Sequence, residues 1–125
     1  MLKWVYNSKL VQMIAPTPES NPEKALQDYV FDGNGQGVEK LIASGVNVHT
    51  VNDEGNGVLH IAAYRGHDFL IERLLKLGID INARGRHQNT AFHFACSQNH
   101  ESTVRLLIDR GCDITLQNSS KKMGK

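Results

Sequence analysis

Apolar residues recur along this chain at helical spacing in short blocks, and glycines close the blocks. Leu70, Ile71, Leu74 and Leu75 stand three and four apart, which predicts an amphipathic helix burying one stripe. Just before them, Leu59, Ile61, Ala62 and Ala63 predict a shorter helix with one apolar side, and its alanines let a neighbour come close. Gly66 ends the first helix and Gly78 the second, because glycine tolerates the left-handed conformation needed just past a helix end. After Gly78 the alternation Ile79-Asp80-Ile81-Asn82 predicts a short extended arm.

The same pattern returns 33 residues later. Gly57-Val58-Leu59-His60-Ile61-Ala62-Ala63 falls on Thr90-Ala91-Phe92-His93-Phe94-Ala95-Cys96, and the register holds through Ile71/Val104, Leu74/Leu107, Gly78/Gly111 and Ile81/Ile114. Carried backwards, it recovers a weaker first copy with Leu26 under Leu59, Gly33 under Gly66, Val38 under Ile71 and Leu41 under Leu74. Three copies result, over about residues 21–51, 52–84 and 85–117. One unit of this length is too small to bury its own apolar face. The copies must therefore stack into a short all-α solenoid whose outer surface is left for function.

The flanks break the period. Leu2, Val5, Tyr6, Leu10, Met13 and Ile14 predict a short helix within residues 1–20, followed by a linker at Pro16 and Pro18. A fresh helix starts either at Ser20, with Glu23 three residues on, or at Asn21, with Pro22 in the first helical position. Residues 119–125, with three lysines and almost nothing apolar, are expected to form a disordered basic tail.

Composition narrows the function class. The 125 residues suit one domain, and a net charge of +1 with 22% charged residues argues against work on nucleic-acid phosphates or an anionic membrane. No apolar run approaches the ~20 residues of a spanning helix, and the first residues lack the long apolar stretch of a secretory signal. An intracellular, cytoplasmic address is expected. Cys96 and Cys112 align with Ala63 and Ile79, so they are expected to be packed, reduced thiols.

Thr90-Ala91-Phe92-His93-Phe94-Ala95 resembles the Thr-Pro-Leu-His-x-Ala signature of the ankyrin repeat, and the 33-residue period is that family's period. Asn99-His100, Gly66-His67 and Gly111-Cys112-Asp113-Ile114 are similar to its remaining landmarks. The resemblance implies a β-hairpin arm after each second helix, with first helices lining a concave side. It also implies that His60 and His93 hydrogen-bond backbone at helix starts and the neighbouring loop. The copies depart from the signature. Val58 and Ala91 fill the proline slot, Gly57 replaces threonine, and Lys24-Ala25-Leu26-Gln27 replaces the whole motif in the first copy. Losing the cap side chain at Gly57 costs only a few tenths of a kcal/mol, since glycine itself caps acceptably. Phe94, at the slot of Asp28, gives the last repeat an apolar side with no successor, so it is expected either to be partly exposed or to have been followed by more sequence.

Competing chemistry fails on spacing. Asp32-Gly33-Asn34-Gly35-Gln36-Gly37 begins like a calcium loop, but the bidentate acid required at its twelfth position is Ala43. The same glycines have no preceding apolar strand, as a dinucleotide site requires. His60/His93 and His67/His100 are pairs set by the repeat. Such equivalent atoms sit roughly 10 Å apart, whereas zinc ligands must converge within ~2 Å of one metal. No nucleophile, base or carboxylate pair forms a catalytic constellation. No enzyme activity, cofactor, metal or small-molecule substrate is therefore expected. Leu74, Asp80, Ile81 and Asn82 match the pattern favoured by the asparaginyl hydroxylase that acts on ankyrin repeats, which makes Asn82 a candidate for hydroxylation, although these are also ordinary repeat residues.

In ankyrin proteins the positions free to vary touch partners. Here they are Asp53, Glu54 and Asn56 at the first arm tip, with Tyr64 and Arg65 at the end of the first helix. Their counterparts are Arg86, His87 and Asn89, with Ser97 and Gln98, while Arg84 closes the loop between. Tyrosine and arginine dominate interface hot spots, so Tyr64 and Arg65 carry the most weight. The tips change from acidic to basic, which would steer a partner of opposite charge order. The resulting reading is a monomeric, non-catalytic module, acting as adaptor, scaffold or inhibitor, that binds another protein. The alternative is a regulatory or targeting segment of a larger enzyme or channel.

Overall fold

Asn21 opens the first helix with its side chain. Its Oδ1 accepts the Lys24 N–H at 3.0 Å and Pro22 occupies the first helical position, so the asparagine start is the one used. The computed structural model describes residues 21–119. Six α-helices follow in three pairs: α1 (Pro22–Asp32) with α2 (Gly35–Ala43), α3 (Val58–Arg65) with α4 (Asp68–Lys76), and α5 (Ala91–Ser97) with α6 (Glu101–Asp109). One 3₁₀ turn, Arg86–Gln88, precedes α5, and no strand occurs among the described residues. The helix and linker expected within residues 1–20, and the tail from 120 on, lie outside the described residues.

The turn inside each pair repeats with the sequence. Gly33 and Gly66 take φ of +75° and +74°, and Asn99 takes the same left-handed region at +60° in the last pair. A histidine from the next repeat then closes each of the first two turns. The His67 ring lies over Gly33, with Nε2 3.0 Å from the Phe31 carbonyl, and the His100 ring lies over Gly66, with Nε2 2.8 Å from the Tyr64 carbonyl. A Cβ on Gly33 would meet His67 at 2.8 Å, so this position needs glycine for its space as well as its φ.

The inner helices α1, α3 and α5 lie side by side, each also packed on its own outer helix. Outer helices touch far less than inner ones, sparsely between α4 and α6 and less still between α2 and α4. Register-equivalent residues build the core: Leu26 and Leu59 on inner helices, Val38 and Ile71, and Leu41, Leu74 and Leu107 on outer ones. Asp68 ties the last two repeats together by accepting from Ser102 Oγ and Thr103 Oγ1.

Two expectations need correction, the arm and the packing of Cys96. The segment Ile79–Asn82 is a turn rather than an extended arm, because Asp80 Oδ1 accepts the Asn82 N–H at 2.9 Å and folds the chain back. Asn47 and Asp113 make the same turn with His49 and Thr115, and the arms pair only at one isolated antiparallel bridge, Val51 with Gly57. Phe94 is partly exposed, as one of its two expected outcomes had it. Its ring turns back onto the middle repeat, edge-on to His60 at 5.7 Å and to Tyr64 at 6.2 Å. Finally, Cys96 is exposed and Cys112 half-buried, both as free thiols. Ala63 is fully buried on α3, which α5 packs against, whereas Cys96 lies on α5, the last inner helix described.

Candidate protein-binding surface

His60 and His93 hold the loops that carry the surface. The Gly57 N–H donates to His60 Nδ1 at 2.9 Å, and His60 Nε2 lies 2.8 Å from the Ala83 carbonyl. Since Nδ1 accepts, Nε2 carries the proton and donates to Ala83. His93 repeats the arrangement, with Nδ1 2.8 Å from the Thr90 N–H and Nε2 2.9 Å from the Leu116 carbonyl. Burial of His60 pushes its pKa below the ordinary 6.5, and the Ala83 hydrogen bond opposes this only in part. Each histidine thus pins the loop at the end of its own repeat against the start of an inner helix.

Between those loops and the inner helices lie two shallow hollows. One, of about 290 Å³, is walled by Phe31, Ile61, Tyr64 and Phe94, with Glu54 and Asn56 on the loop side. The other, of about 330 Å³, continues it toward Asp28, Asp53 and Glu54. Phe31 and Tyr64 are equivalent residues 33 apart, exposed by 44% and 43%. The Arg65 guanidinium stacks 4.3 Å from the Phe31 ring centroid while its Nε donates to the Phe31 carbonyl at 3.2 Å. Large apolar side chains are therefore held in fixed positions facing water, which is the arrangement a buried interface anchor needs.

The candidate residues divide into two groups. Asp53, Glu54, Tyr64, Arg65, Arg86, His87, Ser97 and Gln98 are exposed. Asn56 is not: it is 8% exposed, and its Oδ1 accepts the Arg86 N–H at 2.9 Å, stapling one loop tip to the next. Asn89, half-buried, also links successive loops, but its Oδ1 accepts from the Asn118 side-chain amide rather than from a backbone N–H. Arg84 is exposed too, but its Nη1 donates to the Gln88 and Gln117 carbonyls, at 2.7 and 2.6 Å. These three serve the stack. The register carries the signal that separates them, since Asn56 and Asn89 are themselves 33 apart and so belong to the repeated positions. The change of sign between tips is also partly spent internally, because Arg86 Nη1 lies 3.5 Å from Glu54 Oε2.

Phe31 was outside the expected set. It becomes legible once Tyr64 is read back by one period, which places an aromatic at the same point of α1. Asn82 is half-buried, and its Oδ1 accepts the Asp113 N–H at 2.8 Å, so its carboxamide links successive loops. The Thr115 hydroxyl and backbone N–H, both donated to Asp113, hold that carboxyl below its usual range. Partial shielding pushes both thiols up, which leaves them poor nucleophiles near neutral pH. No group of three or more His, Cys, Asp or Glu is placed to hold a metal ion among the described residues. Nor is any helix there long and apolar enough to cross a membrane.

Comparison with curated proteins gives no match. A family model described as ankyrin repeats, in three copies, matches residues 26–118, which spans all three helix pairs but for the first turn of α1. Ankyrin repeats are protein-interaction modules, and the stacked pairs, the histidine-pinned loops and the 33-residue register agree with that match. The chain belongs to the ankyrin repeat family.

Proposed function

We propose that this chain is a non-catalytic adaptor, scaffold or inhibitor that works inside the cell as a monomer and binds one partner protein on its inner-helix face. The observation that carries the reading is the row Phe31, Ile61, Tyr64 and Phe94, held open to water beside loop tips bearing Asp53, Glu54, Arg86 and His87. Solvent-facing aromatics cost hydration free energy that a partner recovers by covering them. Arg65, Ser97 and Gln98 extend the same face at the ends of α3 and α5. Asn56, Asn89 and Arg84 contribute by setting the spacing of the tips. The reading calls for no catalytic residue, metal or cofactor.

Capture from cell lysate tests it. Full-length protein retains a specific partner, and the Tyr64→Ala/Arg65→Ala double variant loses it while keeping the wild-type thermal midpoint. Equal capture by both proteins would move the interface elsewhere. Hydroxylation of Asn82 rests on separate ground, its place in the Leu74-Asp80-Ile81-Asn82 pattern. Protein isolated from cells would carry one added oxygen there, read by peptide mass, and an unmodified peptide would sink it.

A further inference from the structure

Phe69 stands out of register. The equivalent outer-helix positions are polar, Gln36 in the first repeat and Ser102 in the last, where Ser102 donates to Asp68. Phe69 instead sets its ring against Gly35, where an added Cβ would lie 2.9 Å from Cε1. The notch orients the ring without covering it, and Phe69 remains 61% exposed. It forms part of an open groove of about 940 Å³ between α2 and α4, floored by Phe69 and Leu70, on the side opposite the loop-flanked hollows of about 330 and 290 Å³.

The rim of this groove has a definite sign. Its two acids are each spoken for, Glu39 by a bidentate pair with Arg73 at 2.6 and 3.0 Å and Glu72 by Arg110 at 2.9 Å. Lys40 and Lys76, both exposed, have no ion-pair partner among the described residues. The uncompensated charge around the aromatic floor is therefore positive.

We propose that the α2–α4 groove is a second docking site, which receives an amphipathic helix of a partner protein with a bulky apolar residue against Phe69 and acidic residues facing Lys40 and Lys76. A helix is the element that lies between two neighbouring helices, and its apolar face supplies anchors at three- and four-residue spacing. Charge argues against the other occupants. The chain's own first twenty residues carry Lys3 and Lys9 against one acid, Glu19. A two-fold pairing of copies would bring the patch bearing Lys40 and Lys76 against the same positive patch of the second copy. The site is independent of the inner-helix face.

A display library of helical peptides, randomised along one face and selected on the full-length protein, tests the site. Enriched peptides should carry acidic flanks around a bulky apolar residue. Their affinity should drop about tenfold or more on Phe69→Ser, and should also fall on the Lys40→Glu/Lys76→Glu double variant, where lysine-swapped peptides recover binding. It should be unchanged on Tyr64→Ala/Arg65→Ala, which separates this site from the inner-helix face. An empty selection, basic or uncharged winners, or dependence on Tyr64 and Arg65 would overturn the proposal. So would NOEs from the Phe69 ring to residues 1–20, or a dimer abolished by Phe69→Ser, which would assign the groove to those occupants.

Discussion

Leu74 and Tyr64 show how differently two residues of the middle repeat are used. Leu74 is wholly buried at the centre of α4, so Leu74→Ala removes packed methyl groups and leaves a cavity, and should cost about 2–5 kcal/mol. Tyr64 and Arg65 are exposed, and replacing both by alanine should cost within about 1 kcal/mol; urea unfolding of the two proteins checks the ordering. His60 adds a pH dependence. Its folded-state pKa is depressed by burial, so the unfolded chain takes up the proton first as pH falls. The stability tied to neutral His60 is whole above the unfolded value of about 6.5 and is lost as pH falls through the folded one. Urea midpoints at pH 7.5 and 5.5 should drop between the two, and should drop less in His60→Gln whatever that variant's absolute stability. Buried leucines and the role of His60 were readable from spacing and family likeness. The solvent-facing place of Cys96 was not, because register reports which position a residue holds and not whether a following unit covers it.

At the scale of elements, helices and their starts were legible because they are coded locally, by Asn21, Pro22, Thr90 and the left-handed glycines. The arms were less so. Ile79-Asp80-Ile81-Asn82 alternates as a strand does, yet the Asp80 carboxylate competes for the backbone and turns it. The loop tips likewise hide a shared staple. Asn56→Ala removes the buried carboxamide that accepts the Arg86 N–H and should cost about 1–3 kcal/mol. Asn89→Ala, half-buried beside the last described loop, should cost less. Thermal melts of the two variants give the comparison, and equal losses would mean that burial is not what weights the staple. Helix propensity plays little part in this ordering, since each helix runs only 7 to 11 residues and depends on its neighbours.

Across the molecule, stability passes from repeat to repeat through the packing of α1 on α3 and α3 on α5. Amide exchange should be slowest in α3, which is packed between α1 and α5, intermediate in α4, and faster in α6, where Ile108 is 47% exposed. Faster exchange in α4 than in α6 would contradict nearest-neighbour stacking. Sequence periodicity revealed this architecture whole, while the face used for recognition emerged only when Phe31, Tyr64 and Phe94 were seen to share one hollow. A photo-crosslinking residue placed at Tyr64, and in a second protein at Asp109 on the far end of α6, reports on that face directly in cells. One partner protein should be trapped at position 64 and not at 109. Equal trapping at both, or trapping at 109 alone, would contradict recognition through the inner helices.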